Sequence, residues 1–189
     1  MKSAGISFEE EIVWLRRPDT PESLRRASPT GKVPVLVDGD LVIPESIAIL
    51  EYLAERAPAL WPADSSARAV ARAISAEMHA GFAPLRMACS MEILRKPAPI
   101  PMAADVQANV DRIVAIWTHC RARFGAGGEF LFGKTFCNAD AMFAPVVNRF
   151  HAYAIPVPGT VRAYMDAVMA TPAWREWEAG ARAEPTVTA

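Results

Sequence analysis

The sequence has few cysteines, no long apolar run and no excess of charge, and each shortage argues against a class of protein. Its three cysteines, at positions 89, 120 and 137, are an odd number without a CxxC pair, which argues against a disulfide framework and favours a reducing compartment. Proline or glycine breaks the longest uncharged stretches well before the roughly 18 apolar residues of a membrane span. Twenty basic residues balance 21 acidic ones without a basic run, so we expect neither a nucleic-acid nor a membrane partner.

Metal-binding patterns are also lacking. The three histidines (His79, His119 and His151) form neither an HExxH motif nor a Cys/His quartet, so no metal is expected. The first residues contain no apolar segment of the signal-peptide type, and we therefore expect a cytoplasmic protein. With 52% apolar and 22% charged residues, the 189-residue chain has the composition of a folded globular protein.

The chain divides into two parts near residue 64. The first part carries seven basic and eleven acidic residues and the rest 13 and 10. In the first part we predict a strand at 11–15, a hairpin of strands at 33–37 and 41–43 around an Asp-Gly step, and an amphipathic helix at 46–56. The prolines in 58–62 disfavour a helix in this segment, which indicates a linker.

Helical periodicity dominates the second part. Apolar residues at three- and four-residue steps predict long helices at 65–95 and 103–124, separated by a proline-rich turn at 96–101. Further helices are predicted at 138–153, 158–170 and 173–180. Pro84 and Pro145 fall inside helical patterns, where the missing N–H predicts a kink. Cys89 and Cys120 lie on apolar stripes and are predicted to be buried, unreactive thiols.

The first motif that suggests chemistry is the run from Gly31 to Leu36. A proline at a strand start cannot donate to the sheet. A cis Val33–Pro34 bond would turn the N–H and C=O of Val33 outward, where they can pair with a peptide-like ligand. The alternative is a trans proline at an exposed strand start.

The second motif is the pair Glu45-Ser46 at the predicted helix start. The hydroxyl of Ser46 and the first free N–H groups suit a carboxylate, and Glu45 suits an ammonium group. Together they would hold the zwitterionic end of an amino acid. The alternative is that Ser46 caps its own helix and Glu45 is a solvated acid of the first turn.

In combination, the two motifs resemble a known family. The stretch SPTGKVPVLVDGDLVIPESIAILEYLAERAP is similar to the glutathione-binding half of the glutathione S-transferase family. Residues 60–62 resemble that family's interdomain linker, and residues 136–141 resemble the capping motif of its sixth helix, with Cys137 in the usual Ser/Thr place and Asp140 able to reach back. Residues 75–82 resemble a bacterial subgroup, so the resemblance covers essentially the whole chain.

The resemblance implies a thioredoxin-like α/β domain at 1–57, incomplete at its start, followed by an all-α domain at 63–189. It implies glutathione as co-substrate, held by Val33 through backbone pairing beside Pro34. Glu45 and Ser46 would bind the γ-glutamyl end, and Lys32 would reach the glycyl carboxylate or the backbone of glutathione. Family members are usually dimers, so a homodimer is expected.

The resemblance also implies a second substrate, usually an apolar electrophile, between the domains. The candidate residues for its pocket are Met78, Phe82, Arg86 and Met87. The alternative is that Met78 and Phe82 belong to the core and Arg86 is a solvated charge.

The catalytic residue is unknown. In the family it follows the first strand, and residues 1–7 already resemble the last turn of the helix after it; Ser3 and Ser7 match nothing in the motif. We therefore expect upstream residues to supply the activating group, or the fold to be rearranged. The expected activity is conjugation of the glutathione thiol to a small electrophile. The alternatives are a non-catalytic glutathione-binding or scaffold protein and a glutathione-dependent isomerase.

Overall fold

The computed structural model describes residues 1–15 and 17–184. These residues form two compact units, Met1–Pro58 and Ala59–Glu184. Residues 185–189, the end of the predicted second domain, lie outside the described residues. No helix in the described ranges is both long and apolar enough to cross a membrane.

A hairpin and two α-helices form the first unit, as far as it is described. The helix that follows the hairpin packs against both of its strands. In chain order the elements are a 3-10 turn (Lys2–Ala4), α1 (Thr20–Ala27), β1 (Val35–Asp38), β2 (Leu41–Pro44) and α2 (Ser46–Arg56). The hairpin and α2 confirm the elements predicted at 33–43 and 46–56.

The hairpin register determines which residues meet at its open end. β1 and β2 are antiparallel, and their outermost pair is Val35 with Pro44. Because the strands run in opposite directions, Val33 and Glu45 come to the same end of the hairpin. The register therefore brings the two sequence motifs together.

The predicted strand at 11–15 is wrong, because these residues have no regular secondary structure. Ile12 and Leu15 are 58% and 54% exposed. β1 pairs with β2 alone in the described part of the sheet. An extended segment forms a strand only when a neighbouring strand pairs with its N–H and C=O groups. The apolar composition of residues 11–15 does not indicate whether such a neighbour exists.

Six helices build the second unit within the described chain. They are α3 (Ser65–Ala80), α4 (Ala83–Ala88), α5 (Ala104–Phe124), α6 (Asn138–Ala152), α7 (Gly159–Met169) and α8 (Pro172–Ala183), preceded by a 3-10 turn at Pro58–Leu60. The ring of Trp117 on α5 packs 5.1–5.7 Å from the rings of Phe143, Phe150 and Tyr164. All four rings are fully buried. The last four helices confirm their predicted positions to within three residues.

The predicted single helix at 65–95 is wrong. α3 ends at Ala80, where the N–H of Gly81 bonds to the Glu77 carbonyl, and α4 begins at Ala83 with a proline in its first turn. Phe82 between them has a left-handed backbone, φ 62°. Pro84 has no N–H to continue the ladder, and the first turn of a new helix is the place that tolerates this loss. The expected kink is therefore a complete break.

A capping box starts α6. The sulfur of Cys137 accepts from the backbone N–H of Asp140, and the Asp140 carboxylate accepts from the N–H groups of Cys137 (2.9 Å) and Leu131 (3.1 Å). Asp140 is fully buried. Burial raises the pKa of its carboxyl, and the two backbone hydrogen bonds act in the opposite direction. The structure thus confirms the structural role predicted for Asp140.

Candidate functional site

The approach to β1 leaves one residue with an unpaired backbone. The Val33–Pro34 bond is cis, as one of the two interpretations of this run required. Val33 is 46% exposed, and its backbone N–H and C=O make no hydrogen bond to another described residue. Lys32 beside it is exposed and forms no ion pair within the described chain. A ligand with its own amide groups can therefore pair with this segment.

The turn before Lys32 is fixed by local hydrogen bonds. Ser28 is buried, and its hydroxyl bonds to the hydroxyl of Thr30 at 3.0 Å. The N–H of Gly31 donates to the Ser28 carbonyl at 3.1 Å. Gly31 has φ 65°, which glycine adopts without a steric cost. This turn positions Lys32 and Val33.

The start of α2 is the second part of the site. Glu45 precedes the first helical residue with φ 72° and ψ 122°, and no side chain caps the helix. The first α2 bond runs from the N–H of Ile49 to the Glu45 carbonyl, so three N–H groups, from Ser46 to Ala48, have no partner within the helix. The Ser46 hydroxyl makes no hydrogen bond to a described residue. The alternative in which Ser46 caps its own helix therefore has no bond to support it.

The backbone of Glu45 is strained. A positive φ in a residue with a side chain costs about 1–3 kcal/mol and persists where the surroundings determine it. Such strain concentrates at binding and catalytic sites. The strain of Glu45 is therefore a second observation beside the uncapped start of α2. A residue that only precedes or caps a helix does not need a positive φ.

The four candidates for the second-substrate pocket differ in exposure. Met78 and Phe82 are buried, whereas Arg86 is exposed and Met87 is 83% exposed. The Arg86 guanidinium donates to the carbonyls of Met78 and His79, so it is tied to the end of α3.

Met87 borders an open groove of about 550 Å³, which the sequence analysis missed because its walls come from segments far apart in the chain. The groove is lined by Ala83, Pro84, Met87, Ala88, Ala103, Asp105 and Val106.

The thiols are not available for chemistry. Cys89, Cys120 and Cys137 are unpaired and buried, which confirms the prediction for the first two. Burial raises the pKa of Cys120 to about 12 and also raises the pKa values of Cys89 and Cys137. Thiolates are the reactive form, so these side chains act as small apolar groups.

The protein thus has a thioredoxin-like α/β part and an all-α part. The first contains a hairpin with an exposed backbone edge beside an uncapped helix start, and the second is the helical unit that follows. Comparison with known proteins identifies its family. Residues 1–56 match the model of the glutathione S-transferase N-terminal domain, and residues 103–180 match that of the C-terminal domain. The chain belongs to the glutathione S-transferase family.

Individual relatives support this family assignment. The chain is 31% identical over 160 residues to a probable maleylacetoacetate isomerase of Caenorhabditis elegans (82% of this chain, 73% of the relative). It is 29% identical over 174 residues to glutathione S-transferase Z2 of Arabidopsis thaliana (85% and 74%). A solved glutathione transferase homolog from Burkholderia strain BGR1, with bound glutathione, has a TM-score of 0.72 and 28% identity (97% and 88%).

Proposed function

We propose that the protein binds glutathione at the open end of the hairpin and transfers its thiol to a small electrophile. The observation that carries the proposal is the start of α2, where unpaired N–H groups and the Ser46 hydroxyl lie at the same hairpin end as the unpaired backbone of Val33. The N–H groups and Ser46 bind the γ-glutamyl carboxylate, helped by the helix dipole. Glu45 binds the ammonium group.

The remaining parts of glutathione fit the neighbouring residues. Val33 pairs with the cysteinyl amide as an added strand would, beside Pro34. Lys32 binds the glycyl carboxylate, since it is exposed and has no ion pair in the described chain. For the second substrate, Arg86 and Met87 provide the exposed part of the pocket, and Met78 and Phe82 form its apolar base.

The chemical step is attack by sulfur on an electrophilic carbon. A free thiol has a pKa near 8.5 and is mostly protonated at pH 7, so binding has to favour the thiolate. The sulfur then forms a bond to carbon, the leaving group departs with the electron pair of its own bond, and the thiol proton passes to solvent. The residue that activates the thiol remains unassigned.

Isomerisation is the second candidate, and the C. elegans relative named probable maleylacetoacetate isomerase favours it. In that reaction glutathione adds to the substrate and leaves again, so it is not consumed. A count of free thiol during turnover distinguishes the reactions: conjugation removes one thiol per product and isomerisation removes none. A non-catalytic glutathione-binding or scaffold protein would bind glutathione and show neither reaction.

The test of the binding site is the double variant Glu45→Ala/Ser46→Ala. Loss of hydrogen bonds to a charged group costs about 1.5–3 kcal/mol, so glutathione affinity should fall about tenfold to hundredfold in titration calorimetry. Glu55→Ala, which removes an exposed acid at the other end of α2, is the matched control. If the double variant binds like the control, this site is wrong.

Several expectations of the sequence analysis stay proposals. We retain domains at 1–57 and 63–189, a homodimer, a cytoplasmic location, and the lack of nucleic-acid and membrane partners. Analytical ultracentrifugation of the full chain tests the dimer directly.

A further inference from the structure

A hydrogen-bonded cluster ties α2 to the tip of the hairpin. The Tyr52 hydroxyl donates to the Asp38 carboxylate at 2.7 Å, and the Arg56 guanidinium donates to the same carboxylate oxygen. The guanidinium also lies over the Tyr52 ring, with its carbon 4.6 Å from the ring centre. We call Asp38, Tyr52 and Arg56 the tip clamp. The sequence analysis missed it because Asp38 lies 14 and 18 positions before its partners.

The tip clamp and the proposed glutathione site lie at opposite ends of the hairpin. β2 runs from Leu41, the partner of Asp38, to Pro44 at the open end. α2 then returns to the tip, where Tyr52 meets Asp38. The strand covers about 10 Å from Leu41 to Pro44, and the helix rises about 9 Å from Ser46 to Tyr52. Because these lengths match, α2 is attached to the hairpin at two places, by the chain at the open end and by the clamp at the tip.

One residue, Glu45, joins β2 to α2. Its φ of 72° is unfavourable for a residue with a side chain and persists only where other contacts determine the position of the helix. The buried Leu53 and Ala54 of α2 supply apolar packing, which is not directional. The hydrogen bonds of the tip clamp are directional and act far from Glu45, where a rotation of α2 about this joint produces a large displacement. The tip clamp therefore opposes relaxation of Glu45.

The bond from Tyr52 is the main part of the tip clamp. This bond, followed by the bond from Arg56, lowers the pKa of Asp38, so the carboxylate is ionised at neutral pH and accepts from both partners. An ion pair between exposed side chains contributes little, and the side chains of Arg56 and Asp38 are both exposed. A hydrogen bond from a hydroxyl to a carboxylate is stronger than one between neutral groups. Loss of the Tyr52 hydroxyl should consequently have a larger effect than loss of the Arg56 charge.

We propose that the tip clamp positions the glutathione site. It holds Glu45 in its strained conformation and thereby keeps the free N–H groups at the start of α2 at the same end of the hairpin as the backbone of Val33. The members of the clamp are positioning residues, because they act through Glu45 and do not contact glutathione. This inference rests on the proposed function and deepens it, since it assigns residues that determine the geometry of the same site.

The test is titration calorimetry of glutathione on the full chain. Asp38→Ala removes the acceptor and Tyr52→Phe removes the donor, and each should lower the affinity at least about fivefold, the lower end of coupling between distant sites. The stoichiometry should stay unchanged, which distinguishes a displaced site from an unfolded fraction. Asp38→Asn keeps an oxygen that accepts from Tyr52, so it should retain more affinity than Asp38→Ala.

Asp40→Ala is the matched control. Asp40 is an exposed acid at the same hairpin tip and makes no hydrogen bond or ion pair to another described residue. Its removal changes the net charge as Asp38→Ala does, and glutathione affinity should equal that of the unmodified chain.

A second measurement needs no ligand. The N–H of Ile49 donates to the Glu45 carbonyl at 3.1 Å, so its hydrogen exchange, measured by nuclear magnetic resonance, reports on opening of the first turn of α2. Exchange at Ile49 should be several-fold faster in Asp38→Ala than in Asp40→Ala. The two substitutions differ only in whether the tip clamp is broken, and both lie at the end of the hairpin far from Ile49.

The outcomes separate this inference from the proposed function. If glutathione binds equally to Asp38→Ala and Asp40→Ala, or if Ile49 exchanges equally in both, the tip clamp does not position the site and the inference is overturned, whereas the proposed function stands. Asp38→Asn that binds as weakly as Asp38→Ala also overturns it. If the unmodified chain does not bind glutathione, the proposed function fails, and the exchange at Ile49 then decides whether the tip clamp holds Glu45.

Discussion

Removal of the Asp140 carboxylate should destabilise the second unit strongly. The side chain is fully buried and accepts from the backbone N–H groups of Cys137 and Leu131. Asp140→Ala leaves both groups without an acceptor, at about 1–3 kcal/mol each. The expected loss is about 2–6 kcal/mol, a large part of the roughly 5–15 kcal/mol by which a domain is stable.

Urea unfolding followed by tryptophan fluorescence measures this loss. Asp105→Ala is the matched control: Asp105 is exposed at the start of α5, and within residues 1–15 and 17–184 its carboxylate accepts only from the adjacent N–H of Val106 at 2.8 Å. It should cost less than about 1 kcal/mol. If Asp140→Ala costs no more than Asp105→Ala, the capping box does not stabilise the fold as argued.

The pH dependence gives a second readout of the same group. Burial raises the folded-state pKa of Asp140 above the unfolded value of about 3.9, so the folded protein binds more protons between the two values. The contribution of this group to stability is therefore complete below the unfolded pKa and is lost as pH rises through the folded pKa. Asp140→Asn has no proton to lose, so its stability should fall less steeply above about pH 4.

Two further predictions concern the thiols and one ion pair. At pH 8 a thiol with the pKa of about 12 found for Cys120 is ionised about a thousandfold less than a free thiol, so Ellman's reagent should label the folded chain far more slowly than the unfolded one. Rapid labelling of the folded chain would contradict this. The Arg112 hydrogen bond lowers the pKa of Glu77, so this pair should stabilise above the unfolded pKa and lose its effect as pH falls through the folded one. Because both Arg112 and Glu77 are partly exposed, Arg112→Ala should lower the free energy of unfolding by no more than about 1 kcal/mol. A larger decrease, or a decrease that does not depend on pH, would refute this prediction.

The accuracy of sequence-based prediction depends on how local each signal is. Helix α5 was predicted to within one residue because its apolar stripe and its ends lie in consecutive residues. The strand at 11–15 was wrong because pairing needs a neighbour that residue type does not reveal. The break before α4 was missed because the left-handed backbone of Phe82 has no signature in a residue that normally avoids it.

The candidate site shows the same dependence. Glu45 and Ser46 could be predicted as candidate ligands because the helix start and its polar groups lie in adjacent residues. Arg149, whose Nε donates to the Cys89 carbonyl at 2.9 Å, was missed because tertiary packing alone brings α6 next to the residue that follows α4. A contact between helices distant in sequence leaves no periodic pattern in a single chain.

The proposed glutathione site contains hydrogen-bond donors that the fold holds in place without using them all. At the start of α2 the N–H groups of Ser46 to Ala48 have no side-chain cap, so the γ-glutamyl carboxylate would meet backbone dipoles there. Lys32, in contrast, would bind the glycyl carboxylate through a full charge, and salt screens the attraction between exposed charges. Lys32→Ala should therefore bind glutathione more weakly than the unmodified chain and lose less affinity on addition of salt, as titration calorimetry at low and high salt measures. An equal salt dependence of the two proteins would contradict this assignment of Lys32.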